Sequence, residues 1–242
     1  MATVDVIMVS DAKNKSAFDM TQGAIDSIRE PNMNIVIVES NINVSYRKVK
    51  VIYPDSPFNY NGYLNMGARL GSGEYIFFGN NDLFFEENWG KAMLEELSAN
   101  EILSGSPLCP KTGAKYGILR DTGNYLGYEL MSIFCGWAFV MKRSLYSDLG
   151  GLNEQFKFWC SDDIVIQQLK ERNIKHALVT RSIVHHLNGG SNTLKLIEDI
   201  SVMFDYTINQ VNNYAEIIDD EIWEKPHLKE LYERFIDNEG AN

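Results

Sequence analysis

The stretch GEYIFFGNNDLFF (residues 73–85) constrains the fold more than any other part of the chain. Residues 75–78 are four consecutive large apolar side chains, and Asn80, Asn81 and Asp82 follow almost at once. An unbroken apolar run of this length, bounded by glycines, reads as a short strand buried on both faces. Its carboxylate then stands at the carboxyl end of a strand, where open α/β sheets place their ligands. A strand closed by an ordinary Asn/Asp turn has the same local signature, so the weight of the motif depends on the rest of the chain.

Three further apolar runs end the same way. Residues 4–9 (VDVIMV) lead into Ser10 and Asp11, residues 34–38 into Glu39, Ser40 and Asn41, and residues 49–52 into the turn-rich YPDSP. Between them, Phe18, Ile25 and Ile28 recur at helical spacing before Pro31, and residues 64–70 form a helical stretch before Gly71-Ser72-Gly73. This β-α-β-β-α-β order predicts an α/β fold with a mixed, mainly parallel sheet and helices on both faces. Downstream, residues 89–97 predict an amphipathic helix and residues 104–127 predict loops and short strands. Residues 132–141 predict an apolar strand and residues 143–149 a short helix ended by Gly150-Gly151. Residues 162–171 predict a helix, and residues 177–179 and 183–186 two short strands. From residue 193 the pattern is helical and acidic. The predicted organisation is a domain over residues 1–192 with a C-terminal helical extension, residues 193–242, packed on it.

Composition narrows the function. Apolar residues make up 45% of the 242, enough for a sizeable core. The formal charge of 22 − 33 = −11 argues against a general binder of nucleic-acid backbones. Cys109, Cys135 and Cys160 show no zinc-ligand spacing and are odd in number, which fits a reducing compartment. The chain enters its first apolar run without a basic flank, so no secretory signal is expected. Its longest apolar run, residues 133–141, is too short to span a bilayer. The expected location is cytoplasmic, with peripheral membrane contact left open.

Polar clusters follow apolar runs or break them at Ser10-Asp11, Glu39, residues 80–82, Asp162-Asp163 and His185-His186. In a parallel sheet the first three share one edge. One carboxylate there can hydrogen-bond a base or ribose, and a second, with an imidazole, can hold a divalent cation against a diphosphate. A carboxylate at a helix N-terminus can take a proton from an incoming hydroxyl. Acids also favour helix starts for structural reasons alone.

Taken in order, these segments resemble a known family. PFNYNGYLNMGARLGSGEYIFFGNNDLFF (residues 57–85) is similar to the signature of family 2 glycosyltransferases with the GT-A fold. GWAFVMKRSLYSDLGGLNEQF (residues 136–156) is similar to that family's later glycine- and arginine-containing block, and CSDDIVIQQLKERN and SIVHHLNGGS continue the match. The resemblance spans about residues 4–191 and implies a GT-A sheet and an inverting, nucleotide-sugar-dependent transferase.

Residue by residue, the resemblance makes Asp82 the metal-binding Asp of a D-x-D-type motif, holding Mn²⁺ or Mg²⁺ on the donor diphosphate. The sequence has Asn80 where many members carry the first Asp. Ser10, Asp11 and Glu39 correspond to donor-site residues after the first two strands, and Asn65 to a helix residue lining the nucleotide site. Asn80, Asn81 and Trp137 join the nucleotide-sugar set. In the family the acidic base precedes a helix-ending Gly or Asn by about eleven residues, so the resemblance, counted back from Asn173, favours Asp162 as the base, with Asp163 as the alternative. The family's pattern matches Ser182, Val184, His186 and Ser191, so the resemblance favours His186 over His185 as the second metal ligand, and in a strand the two histidines face opposite sides. Trp137 and Trp159 are further candidates for the sugar and acceptor pockets, although large aromatics are more often core.

The expected partners are a UDP- or dTDP-sugar donor and an acceptor that is a glycan, a protein, a small molecule or a modified nucleic acid. Two other classes compete. A nucleotidyltransferase needs a glycine-rich phosphate loop after the first strand, where this chain reads VSDAKNKS. A non-catalytic nucleotide-sugar-binding protein is favoured by Asn80 alone.

Overall fold

A computed structural model describes residues 2–154 and 161–187. These fall within a compact unit spanning Met1–Gly189. The predicted helical extension over residues 193–242, together with Trp159, Cys160 and Ser191, lies outside the described residues.

Among the described residues nine strands form one sheet. In chain order they are β1 (Val4–Ser10), β2 (Met33–Glu39), β3 (Lys50–Ile52), β4 (Tyr75–Gly79), β5 (Leu83–Phe85), β6 (Ser104–Leu108), β7 (Asn124–Leu126), β8 (Ala138–Lys142) and β9 (His176–His186). The order across the sheet is β3-β2-β1-β4-β8-β6-β9-β5, with β7 paired to β9 off that path. The β3-β2-β1-β4 half is parallel, as the sequence predicts. Beyond it β8 runs antiparallel to both β4 and β6, and β6 returns to a parallel pairing with β9. Reversal at β8 brings the start of that strand against the end of β4, with Gly79 opposite Ala138.

The sheet is covered on both faces. Alternation along β1 sends Val6 and Met8 into one core with Ala24 and Ile25 of α1 (Lys15–Ser27) and Trp89, Met93 and Leu97 of α3 (Trp89–Ala99). Ile7 and Val9 point the other way, into a core with Leu64 and Ala68 of α2 (Tyr60–Leu70) and Val165 and Leu169 of α6 (Ser161–Glu171). Phe77 and Phe78 are each 0% exposed, one in either core. Burial of such a side chain contributes about 1.5–3 kcal/mol. Two shorter helices, α4 (Pro110–Lys115) and α5 (Arg143–Asp148), are the others among the described residues. Among the described residues no helix is long and apolar enough to cross a membrane.

Several boundaries differ from the sequence reading, each for a local reason. Helix α2 begins at Tyr60, four residues before the predicted start, because the Asn59 side chain accepts the Gly62 N–H at 2.8 Å and caps it. The predicted strand over residues 132–141 begins only at Ala138. Residues 132–137 turn, with Ile133 and Phe134 N–H groups both donating to the Glu129 carbonyl. The two short strands predicted after residue 176 are one strand, β9, whose first part pairs β6 and β7 and whose last three residues pair β5.

Two buried polar side chains of this scaffold, Asp5 and His176, are well paired. Asp5, 0% exposed, accepts from the Arg143 guanidinium, from Gly73 N–H at 2.7 Å and from Asn34 at 3.1 Å. His176 sits between the hydroxyls of Ser104 (2.8 Å) and Ser106 (3.1 Å), and burial pushes its imidazole down to about 3. It is therefore neutral. Cys109 and Cys135 are free thiols in the core.

Candidate active site

The ends of β1, β2 and β4 converge, as their order requires. Glu39, 0% exposed, is held by its neighbours: one carboxylate oxygen accepts the N–H groups of Ala12 (3.0 Å) and Asn41 (2.8 Å), and the other accepts the Tyr46 hydroxyl (2.7 Å). Burial pushes the Tyr46 phenol up to about 12, so it remains a donor. Ser10 lies 2.9 Å from the same phenol and 3.0 Å from the Thr21 hydroxyl. Asn81 joins this group from the β4 end, donating to Thr21 at 2.8 Å and approaching Ser10 at 3.4 Å. A single hydrogen-bonded network thus ties the Asn80–Asp82 loop to the ends of β1 and β2. Asp11 stands outside it, exposed and paired with Lys13 at 2.8 Å.

Asp82 and His186 come together across the β5–β9 pair. Leu83 is in register with His186, and Leu187 N–H donates to the Asp82 carbonyl at 2.9 Å. The Asp82 Oδ1 atom lies 3.2 Å from His186 Nε2, is fully buried and has no well-formed hydrogen bond. An orphaned buried carboxylate oxygen is costly. Two ligand atoms at right angles on a hard cation, each about 2.1 Å from it, stand about 3.0 Å apart, which fits this spacing and this pair of donors. Among the described residues no group of three or more His, Cys, Asp or Glu side chains is placed to hold a metal. The pair fits a cation whose other ligands come from a substrate and water. His185 faces the opposite side and pairs with Glu86 at 2.7 Å. Burial raises the Glu86 pKa, but hydrogen bonds from His185 and Arg120 outweigh it and hold the carboxyl below its ordinary range.

Trp137 lies against the same imidazole. The two rings are stacked, with centroids 5.0 Å apart and planes 13° from parallel. The Trp137 carbonyl accepts the Asn80 N–H at 2.9 Å. Its immediate neighbour Gly136 meets the third element of the site: a Cβ there would lie 2.3 Å from Asp162 Oδ2 and 2.6 Å from Asp162 Cβ. Asp162 is in the first turn of α6, partly exposed, and accepts the Asp163 N–H at 3.1 Å. Asp163 is the more buried of the two, at 8% exposure.

Tyr60 is not among the sequence-predicted site residues, because in sequence it is one more aromatic ahead of the predicted helix. Its hydroxyl donates to Asn80 Oδ1 at 2.8 Å. Burial, reinforced by the charges of Asp162 and Asp82, pushes its phenol well above the usual range, so it too stays protonated. Both carboxylates therefore bear on one hydroxyl. That couples the strand-end Asp82 to the helix-start Asp162, which are eighty positions apart in sequence.

Asn65 stands elsewhere. It is 2% exposed, and its amide donates to the Leu152 carbonyl and to Glu154 Oε1, both at 2.8 Å. Its oxygen accepts the Leu152 N–H and the Tyr146 hydroxyl, both at 3.0 Å. These bonds clamp the turn in which Gly150 and Gly151 take φ of +77° and +94°, a region that favours glycine. Asn61 and Asn59 extend the clamp to the carbonyls of Asn153 (2.8 Å) and Glu154 (2.7 Å). Asn65 accordingly supports the chain that leads towards α6, with its hydrogen-bonding capacity used inside the protein.

No protein-family description matches the sequence, and no curated protein does. Solved structures do. The crystal structure of GalNAc-T7 with UDP, GalNAc and Mn²⁺ superposes with a TM-score of 0.62 at 15% sequence identity, covering 77% of this chain. The chain spans 43% of the length of that protein's chain. The mixed sheet, its helices on both faces and this likeness establish a GT-A, Rossmann-like fold.

Proposed function

We propose that the chain is an inverting glycosyltransferase that moves a sugar from a nucleotide-diphosphate sugar to an acceptor hydroxyl. The observation that supports this reading is the buried Asp82 Oδ1, without a hydrogen bond and 3.2 Å from His186 Nε2, with the charges of Asp82 and Asp162 both bearing on the Tyr60 hydroxyl. The GT-A fold adds support, since the GalNAc-T7 structure on the same fold contains UDP and Mn²⁺.

Asp82 and His186 would hold Mn²⁺ or Mg²⁺, which when bound supplies positive charge to the departing diphosphate. The network of Ser10, Glu39, Tyr46, Thr21 and Asn81 frames the donor end of the site. Asp11, at the exposed rim, is left accessible to a ribose or base. Trp137 fixes the His186 ring by stacking.

In this reading Asp162 takes the acceptor proton. As the proton leaves, the acceptor oxygen bonds the anomeric carbon from the face opposite the diphosphate. The bond to the diphosphate oxygen breaks, and no covalent enzyme intermediate forms. Asp163 is the less suited of the two aspartates, because it is the more buried. A base at a helix start relies on position rather than on raised basicity.

The test is sugar transfer and donor hydrolysis with a panel of UDP- and dTDP-sugars and Mn²⁺. The chain is expected to turn over at least one donor, and Asp162→Asn to lose about 10²–10⁴-fold in rate while binding UDP as before. If wild type and Asp162→Asn bind UDP and neither releases sugar from any donor, the chain is a nucleotide-sugar-binding protein and the enzymatic reading fails.

A further inference from the structure

Asn80 occupies the position at which the GT-A resemblance would put a first metal-motif carboxylate, and its surroundings give it a different task. Three contacts fix it. Its backbone N–H donates to the Trp137 carbonyl at 2.9 Å, its side-chain oxygen accepts the Tyr60 hydroxyl at 2.8 Å, and its side-chain nitrogen lies 3.5 Å from His186 Nε2. A phenol is a donor to a carbonyl oxygen, so Tyr60 decides which end of the amide turns to the imidazole. The NH₂ end faces His186 and the oxygen is committed to Tyr60.

We propose that Tyr60 and Asn80 act together as positioning residues for His186, and that Asn80 is not itself a metal ligand. The amide nitrogen has no lone pair to offer a cation, and the amide oxygen is engaged on the far side. Facing His186, the NH₂ group offers Nε2 no acceptor and opposes the pull of the Asp82 carboxylate, 3.2 Å from the same nitrogen, so that its lone pair stays available to a cation. At 3.5 Å it does so without a full hydrogen bond that would have to be broken. Trp137 restrains the ring plane by stacking, and Tyr60 and Asn80 restrain the orientation of the nitrogen within that plane. Groups that orient a metal-bound histidine typically matter about 10–100-fold in metal affinity when removed.

This inference rests on the donor-site reading given above, and one experiment separates the two. Mn²⁺ binding to the full chain is titrated by the electron paramagnetic resonance signal of free Mn²⁺, with UDP present at a saturating concentration. Wild type, Tyr60→Phe, Asn80→Ala and the double variant are compared, with thermal midpoints recorded in parallel. Tyr60→Phe keeps the buried ring and removes only the donor. We expect each single variant to weaken Mn²⁺ binding about tenfold with the thermal midpoint of Tyr60→Phe close to wild type. The double variant should be no weaker than the worse single one, because the two residues act through one contact. Equal Mn²⁺ affinity in wild type and Tyr60→Phe, or additive losses in the double variant, would overturn the inference alone. A wild-type chain that binds UDP but takes up no Mn²⁺ overturns the donor-site reading and this inference with it.

Discussion

Replacing Asn65 by Ala distinguishes a residue that holds the fold from one that touches the donor. The substitution removes four hydrogen bonds, three of them in fully buried surroundings: those to Leu152 N–H, the Leu152 carbonyl and the Tyr146 hydroxyl. Glu154 keeps Arg69 at 2.8 Å and is half exposed, so its loss is small. Each orphaned buried group costs about 1–3 kcal/mol. A water entering the vacated space re-pairs one or two of them, which leaves a net loss of about 3 kcal/mol.

Asn61→Ala supplies the scale, because its amide makes a single bond to the Asn153 carbonyl at 2.8 Å and its loss should cost about 1 kcal/mol. The assay is equilibrium urea unfolding of both variants and wild type, with UDP affinity measured by calorimetry on the folded proteins. Asn65→Ala should unfold at markedly lower urea than Asn61→Ala and bind UDP within a factor of two or so of wild type, the margin being small against a hydrogen bond to a ligand. An Asn65→Ala protein of unchanged stability that binds UDP at least tenfold more weakly would refute the clamp and restore the residue to the nucleotide pocket.

Two other perturbations probe the site and the core. Gly136→Ala puts a methyl group 2.3 Å from Asp162 Oδ2, so the aspartate must move. Turnover should fall at least tenfold, as expected for a displaced base, with UDP binding unchanged, and an active Gly136→Ala enzyme would separate Asp162 from the chemistry. His176 makes stability depend on pH. Its folded-state value of about 3 lies below the ordinary 6.5, so between these values the unfolded chain binds a proton that the native one refuses. The contribution is fully present above pH 6.5 and declines as pH falls towards 3. At pH 5 the loss is about 2 kcal/mol. Imidazole resonances that titrate near pH 6.5 for His176 in the folded chain would contradict this.

Much of the fold could be read from residues 1–85, because each buried strand there is an apolar run closed by polar side chains. β6 could be read only as part of a region of loops and short strands, for the opposite reason. SGSPL has none of the bulky residues that mark a strand, and it is small because α3 lies directly on it: a Cβ at Gly105 would come within 3.0 Å of Leu97 and 3.2 Å of Met93. Asp82, Asp162 and His186 drew attention through residue type and position. Tyr60 did not, since its role depends on a contact with Asn80 that only the sheet topology creates. Asn65 enters through the family resemblance alone, as a helix residue lining the nucleotide site. Its partners, 81 to 89 positions away in sequence, could not be read from local pattern.

The bond from Asn80 N–H to the Trp137 carbonyl is one more rung of the β4–β8 ladder, set just beyond the last paired residues, Gly79 and Ala138. Loops that carry ligand-binding residues commonly open on their own, many times faster than the strands they join. Here the Asn80 backbone shares the fate of the central sheet, and its amide should exchange with solvent on the timescale of β4 rather than of a surface turn. The polar cluster around Asp82 is then already in place before any ligand arrives, so binding there need not order that loop and the associated entropy cost is avoided.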